Sequence, residues 1–294
     1  MPKKFISQFW LKHKNKIILL IIGLSLLDGL IFSHIKNEIF NDKATEIYFF
    51  DVGEGDSELI KLSSRIKILI DGGPPNGRLL KNLDHSLPFF NRYLDLVILS
   101  HPQLDHFGGL IEVLKRERIG AFIFNAKRNE TNSFLELLKV ISQKNIPVIT
   151  VASGDKIHYL NNQLNIVWPP SSFSSNNLNE TALVTELKTF NLTTLFTADI
   201  DSKIEKKLLS FYHFPLDILK VAHHGSRFSS SWEFLNALKP KIAVIEVGKN
   251  NYGHPAKEVL EKLKTIGANI FETDKGTIKL SIKNDKIKIF QNPL

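Results

Sequence analysis

The stretch "VILSHPQLDHFGG", Val97 to Gly109, decides how this chain is read. A continuous apolar run gives way to His101, Asp105 and His106, side chains of the kinds that bind divalent metals. The stretch is either a metal site at the end of a strand or a polar loop. Other apolar runs end in the same way: "RIKILI" in Asp71, "TTLFTA" in Asp199, "LDILKVA" in His223 and His224, and "KIAVIEVG" in a loop that closes at His254. Ligands at successive strand ends converge on one edge of a sheet, where rigid strands fix geometry and short loops carry chemistry. One such residue is an ordinary turn residue; their recurrence points to a site.

Composition describes a globular protein of 294 residues with Lys and Arg exceeding Asp and Glu by eight, 38 against 30. About half of that excess lies in residues 1–43, where seven lysines face Asp28, Glu38 and Asp42. The remainder is mildly basic, which alone does not indicate nucleic acid. There is no cysteine, so disulfides and thiolate zinc sites are excluded, and any metal must be held by His, carboxylate or amide.

The N-terminus carries Lys3, Lys4, Lys12, Lys14 and Lys16 ahead of "IILLIIGLSLLDGLIFSHI", a run about long enough to span a bilayer. Residues 1–16 are expected as a basic cytoplasmic segment and 17–34 as a transmembrane anchor, since positive charge stays inside and no small-x-small cleavage pattern follows. The body is then extracytoplasmic. Residues 45–294 read as one α/β domain. Short β-rich runs ("TEIYFFDV", "RIKILIDGG", "LDLVILS", "AFIFN", "PVITV", "LNIVW", "TIKLSIKN") recur among helical patterns such as "NSFLELLKVISQKN" and "DSKIEKKLLSFY". Ser231 and His254-Pro255 mark the starts of two more helices, "SWEFLNALK" and "PAKEVLEKLKTIGA".

These segments together resemble the metallo-β-lactamase superfamily, in particular the soluble domain of ComEC-type DNA-uptake competence proteins. "FFDVGEGDSELI" is similar to that branch's "DVGQGD" opening, and "LSHPQLDHFGGL" to the superfamily's H-x-[HD]-x-D-H signature. "LFTADI" stands at its "TGD" turn, "LKVAHHGSRFSSS" at "HHGS" and "VGKNNYGHP" at "GKNxYGHP". The resemblance covers nearly everything after the anchor and implies an αββα sandwich with a metal site along one edge.

By position it implies that His101, Gln103, Asp105, His106, Asp199, His223 and His254 surround one or two zinc or manganese ions. The chemistry falls to Asp105, His223 and His224, the sequence leaving open which imidazole binds metal and which moves a proton. Asp71 would orient a ligand from behind. Asp51 and Asp56 frame a Gly-rich turn and serve either the site or backbone amides, while Ser226 contacts a phosphate or closes its turn. Gln103 is a departure, because a neutral amide is a poor ligand. No histidine stands in "NETALVTEL", and Ala198 replaces the Gly expected before Asp199.

Three functions follow from these residues. The first is a membrane-anchored metal-dependent phosphodiesterase or nuclease acting on DNA, with a separate channel protein as partner. The second is a metal-dependent hydrolase of another ester, amide or lactam. The third, favoured by Gln103, is a degenerate domain that binds DNA or a membrane partner without turnover.

Overall fold

The computed structural model describes residues 2–40, 44–63, 65–88, 91–212 and 215–292. It divides into two units, Met1–Lys43 and Ala44–Leu294. The first is one helix, α1 (Pro2–Phe40). Within it His13–Ser33 is a 21-residue apolar stretch with none of its apolar window buried, about 30 Å of helix and enough to cross a bilayer. The side chains of Lys3, Lys4 and Lys12, read as part of the basic segment, lie outside the described residues.

In the second unit the elements are, in chain order, β1 (Thr45–Phe49), β2 (Glu58–Leu62), β3 (Ile66–Ile70), α2 (Arg78–Ser86), β4 (Tyr93–Ile98), α3 (Leu104–Arg116), β5 (Arg118–Phe124), α4 (Asn132–Gln143), β6 (Val148–Thr150), β7 (Lys156–Tyr159), β8 (Asn162–Trp168), β9 (Val184–Thr189), β10 (Leu192–Phe196), α5 (Ser202–Leu208), β11 (Ile218–Lys220), α6 (Trp232–Leu238), β12 (Ile242–Ile245), α7 (Lys257–Thr265), β13 (Asn269–Glu272), β14 (Thr277–Lys283) and β15 (Lys286–Asn292). They form two sheets, ordered β15-β14-β1-β2-β3-β4-β5-β6 and β13-β12-β11-β10-β9-β8-β7.

Three apolar cores make this an αββα sandwich. One, around Ile47, Phe49, Ile60, Phe196 and Val244, lies between the sheets. A second packs Leu79, Leu83, Phe107, Leu110, Phe134 and Leu137 of α2 to α4 on the first sheet. The third packs Ile204, Leu208, Phe234, Leu235, Val259 and Leu263 of α5 to α7 on the other. Each buried Leu, Ile or Phe contributes about 1.5–3 kcal/mol, so both faces of each sheet add to stability.

The crossover helices dictate where the site lies. Strands β3 to β6 run parallel, as do β10 to β13, because a helix returns the chain between each pair. Their carboxyl ends therefore share an edge. Across the second sheet Phe196, Lys220 and Val244 stand in one register row, and three residues beyond them come Asp199, His223 and Val247.

Two local details differ from the sequence reading. His254-Pro255 does not begin α7, which starts at Lys257 after an N-cap at Ala256. The amides of Tyr252, Gly253 and His254 instead bond Asn250 Oδ1, which holds that segment as a loop. Asp105 and His106 are helical, in the first turn of α3. Gly108 and Gly109 continue that helix because a Cβ on Gly109 would come within 2.2 Å of the Gly72 carbonyl oxygen.

Candidate metal centre

Two sheet edges supply the centre. Asp71 follows β3 in a left-handed conformation, φ 52°, and its carboxylate accepts from Ser100 N at 2.7 Å and from Ser100 Oγ at 2.5 Å. It also pairs with His106 Nδ1 at 2.8 Å. That contact fixes the ring and leaves Nε2 facing Asp199 Oδ2 at 3.3 Å. From the other sheet His224 is fixed similarly. Its Nδ1 donates to the Glu246 carbonyl at 2.9 Å and lies 3.2 Å from Asp56 Oδ1, while Nε2 lies 3.7 Å from Asp199 Oδ2 and 3.8 Å from Asp105 Oδ2.

Asp105, His106, Asp199 and His224 thus place one donor atom each within 4.8 Å of one another. His106 Nε2, His224 Nε2 and Asp199 Oδ1 are buried without hydrogen-bond partners. Buried polar atoms are rarely orphaned, and two imidazoles with two carboxylates neutralise a divalent cation. The residues therefore fit a divalent metal.

Electrostatics agree. Burial alone would lower His106 and His224, yet the carboxylates of Asp199 and Asp71 around the first, and of Asp199 and Asp56 around the second, hold both well above the ordinary imidazole range. Against the same burial, those imidazoles hold Asp199 well below the usual carboxylate range.

The neighbouring position differs. His101 lies in the loop between β4 and α3, bonded to Ser100 Oγ at 2.9 Å, and its Nε2 is also buried without a partner. Burial and the adjacent His106 ring lower it to about 3, so it is neutral. Gln103, read as a ligand, lies beside it, its side chain in hydrogen-bonding reach of the His101 ring. The Gln103 Nε2 donates to Asn179 Oδ1 at 2.6 Å, and Asn179 opens the "NETALVTEL" segment that lacks a histidine.

The remaining sequence-read residues separate by geometry. His223 is partly open to solvent, with Nε2 3.7 Å from Asp199 Oδ2, and burial holds it below the ordinary imidazole value. His254 lies outside the four-residue cluster, its Nδ1 paired with Glu54 Oε1 at 2.9 Å. Asp51 bonds Arg78 Nη1 at 2.7 Å and the Gly53 amide at 3.2 Å, as a turn residue does. Ser226 Oγ accepts from Phe228 N at 3.4 Å, closing its turn. A cleft of about 490 Å³ opens over Asp105, His223, His224 and His254.

No family model matches the chain. Among curated proteins it is 28% identical over 260 residues to ComE operon protein 3 of Bacillus subtilis, covering 81% of this chain and 33% of that protein. It is 26% identical over 261 residues to competence protein ComA of Neisseria gonorrhoeae, covering 86% and 34%. The chain spans about a third of the length of the curated relatives it matches. Among solved structures it superposes on the metallo-β-lactamase fold protein YhfI of Bacillus subtilis with a TM-score of 0.55 at 12% identity, over 78% of this chain and 96% of that one. The domain has the metallo-β-lactamase fold and is similar to a segment of these competence proteins.

Behind the candidate metal cluster the domain buries a charged group that the sequence reading missed. Lys220 Nζ forms a short ion pair with Asp56 and donates to the Ala198 carbonyl at 3.2 Å. Opposite Asp56 lie Glu58 and Glu246. Burial and mutual repulsion push Glu58 well up, and burial with the Asp56 charge pushes Glu246 up to about 7. Asp56, Glu58 and Glu246 also place donor atoms within 4.8 Å of one another, but there the Lys220 ammonium supplies the cation. The signal was present: Lys220 in "LDILKVA" and Glu246 in "KIAVIEVG" each stand inside an apolar run.

Proposed function

We propose that the domain hydrolyses phosphodiester bonds, with DNA as substrate and a divalent ion held by Asp105, His106, Asp199 and His224. The observation that carries this reading is the convergence of four donor atoms within 4.8 Å, with both imidazoles oriented from behind. A divalent ion there lowers the pKa of bound water and polarises a phosphoryl oxygen. Asp71 and the Glu246 carbonyl hold the two ligand rings in the tautomer that leaves Nε2 free. His223, open to the cleft beside Asp199, is the imidazole left to move a proton. The competence relatives support DNA over other esters.

The same reading makes the helix over His13–Ser33 a membrane anchor, with the N-terminus cytoplasmic, the domain outside and a separate channel protein as partner. Gln103 favours a second reading, a domain that binds DNA without cutting it, since a neutral amide at a ligand position holds a divalent ion poorly. Cleavage of single-stranded DNA by the purified chain with added manganese separates the two. Hydrolysis that disappears in Asp199→Ala supports the enzyme. Salt-dependent DNA binding by the native chain and by Gln103→Asp, with no cleavage by either, leaves the binding module.

A further inference from the structure

We propose that Tyr252, Phe228 and Arg227 form a subsite for the nucleotide next to the scissile phosphate, stacking its base and pairing its backbone, and that this subsite takes single-stranded nucleic acid. The proposal rests on the phosphodiester reading above. A second hollow of about 310 Å³ adjoins the metal cleft, and the two share His223, Tyr252 and His254 as walls. Tyr252 is 73% exposed and Phe228 70%, the highest values of any aromatic side chain among the described residues, and both line this one hollow. Aromatic surface left open at that level marks a contact site when it is grouped.

The rings form a path outward from the metal cluster. His223 and His254 are 5.7 Å apart between centroids, and His254 and Tyr252 are again 5.7 Å apart with planes inclined by 33°. The path ends beside Phe228 and Arg227. Asn250 Oδ1 pins the Tyr252 loop through three amides, so the ring is presented without a large ordering cost. Arg227 is exposed, and its guanidinium has no ion-pair or hydrogen-bond partner among the described residues. An apolar ligand would not call for that cation. A nucleotide uses both parts, its base on the rings and its phosphate on the guanidinium. Base faces are available for this only when unstacked, which selects single strands over duplex.

The test compares the full chain in detergent with its Tyr252→Ala, Phe228→Ala and Arg227→Gln variants, by fluorescence anisotropy in chelator so that nothing is cut. The probes are a thymidine oligomer of about ten nucleotides, its abasic counterpart and the corresponding duplex. Each aromatic deletion should weaken thymidine-oligomer binding about tenfold while leaving the abasic oligomer and the duplex unchanged, with Tyr252→Phe retaining native affinity. Arg227→Gln should weaken both single strands and flatten their salt dependence. Equal losses on the thymidine and abasic oligomers, equal losses on single strand and duplex, no loss at all, or no binding by the native chain each overturn the subsite. Native binding with this pattern, but no cleavage once metal is restored, supports the subsite and refutes only the reaction.

Discussion

The two halves of the candidate metal centre share the stretch His101 to His106 and differ in how their side chains are held. At Asp105, His106, Asp199 and His224 four donor atoms converge, and the atoms behind them bond Asp71 and a backbone carbonyl. At His101 and Gln103 a buried imidazole nitrogen stands without a partner, and the amide beside it is turned with its nitrogen on Asn179. The difference lies less in the ligands themselves than in what stands behind and beside them. A ligand oriented from the second layer stays poised for a cation. The Gln103 amide, held by Asn179 through its nitrogen, offers only a neutral oxygen, a weaker donor than imidazole or carboxylate.

Removing the intact half should have the largest effect. Asp105→Ala with His106→Ala should take bound zinc or manganese, measured by mass spectrometry of the purified protein, from one equivalent per chain to none, and abolish DNA cleavage. Gln103→Ala should change neither, and a comparable metal loss there would erase the distinction between the halves. Next in size is Lys220→Met, which strands Asp56 as a buried charge and should lower stability to urea by about 3–5 kcal/mol. Its combination with Asp56→Leu should recover much of that.

Proton release should distinguish the halves by sign. His106 and His224 sit above their ordinary range, so without metal both carry a proton at neutral pH that metal must displace. Affinity should fall as pH falls, by about tenfold per unit for each proton, up to about a hundredfold. Calorimetry in buffers of different ionisation enthalpy counts those protons. His101, at about 3, should contribute none, and His101→Ala should leave the count unchanged. Asp71→Asn keeps the shape but weakens the hold on His106, and should cost about 10–100-fold in metal affinity by competition with a chelating dye.

The smallest effect is expected at Ala198, where φ is 46°, a conformation glycine adopts freely. Relief of about 1–2 kcal/mol of left-handed strain exceeds the extra chain entropy of about 0.4–1 kcal/mol, so Ala198→Gly should raise stability by about 1 kcal/mol in thermal unfolding.

Much of this architecture could be read from the chain because strands buried on both faces are continuous apolar runs. "LDLVILS" became β4 and "KIAVIEVG" became β12 for that reason. Two strands of more polar character were not read. β9 buries Thr185, Glu186 and Thr189, and β15 alternates exposed lysines with half-buried isoleucines. α3 was hidden because Gly108 and Gly109 look like a loop until Gly72 is known to lie against them. Among site residues, those at strand ends were legible from their local context. The Lys220–Asp56 pair was not, since its members are 164 residues apart and only the meeting of the two sheets joins them. Gln103 was legible as a departure, but its bond to Asn179 was not, for the same reason.

The register row through Phe196, Lys220 and Val244 sets how the length of this chain can change over time. Inserting one residue within β11 would turn Lys220 to the opposite face, leave Asp56 alone and carry His223 and His224 one step away from Asp199. An insertion in the β14–β15 hairpin at Asn284 and Asp285 disturbs none of these contacts. The inner strands of this fold therefore accept new residues only by exchange, one for one, while lengthening its outer hairpin disturbs no more than the bonds of Asp285 to Asn191.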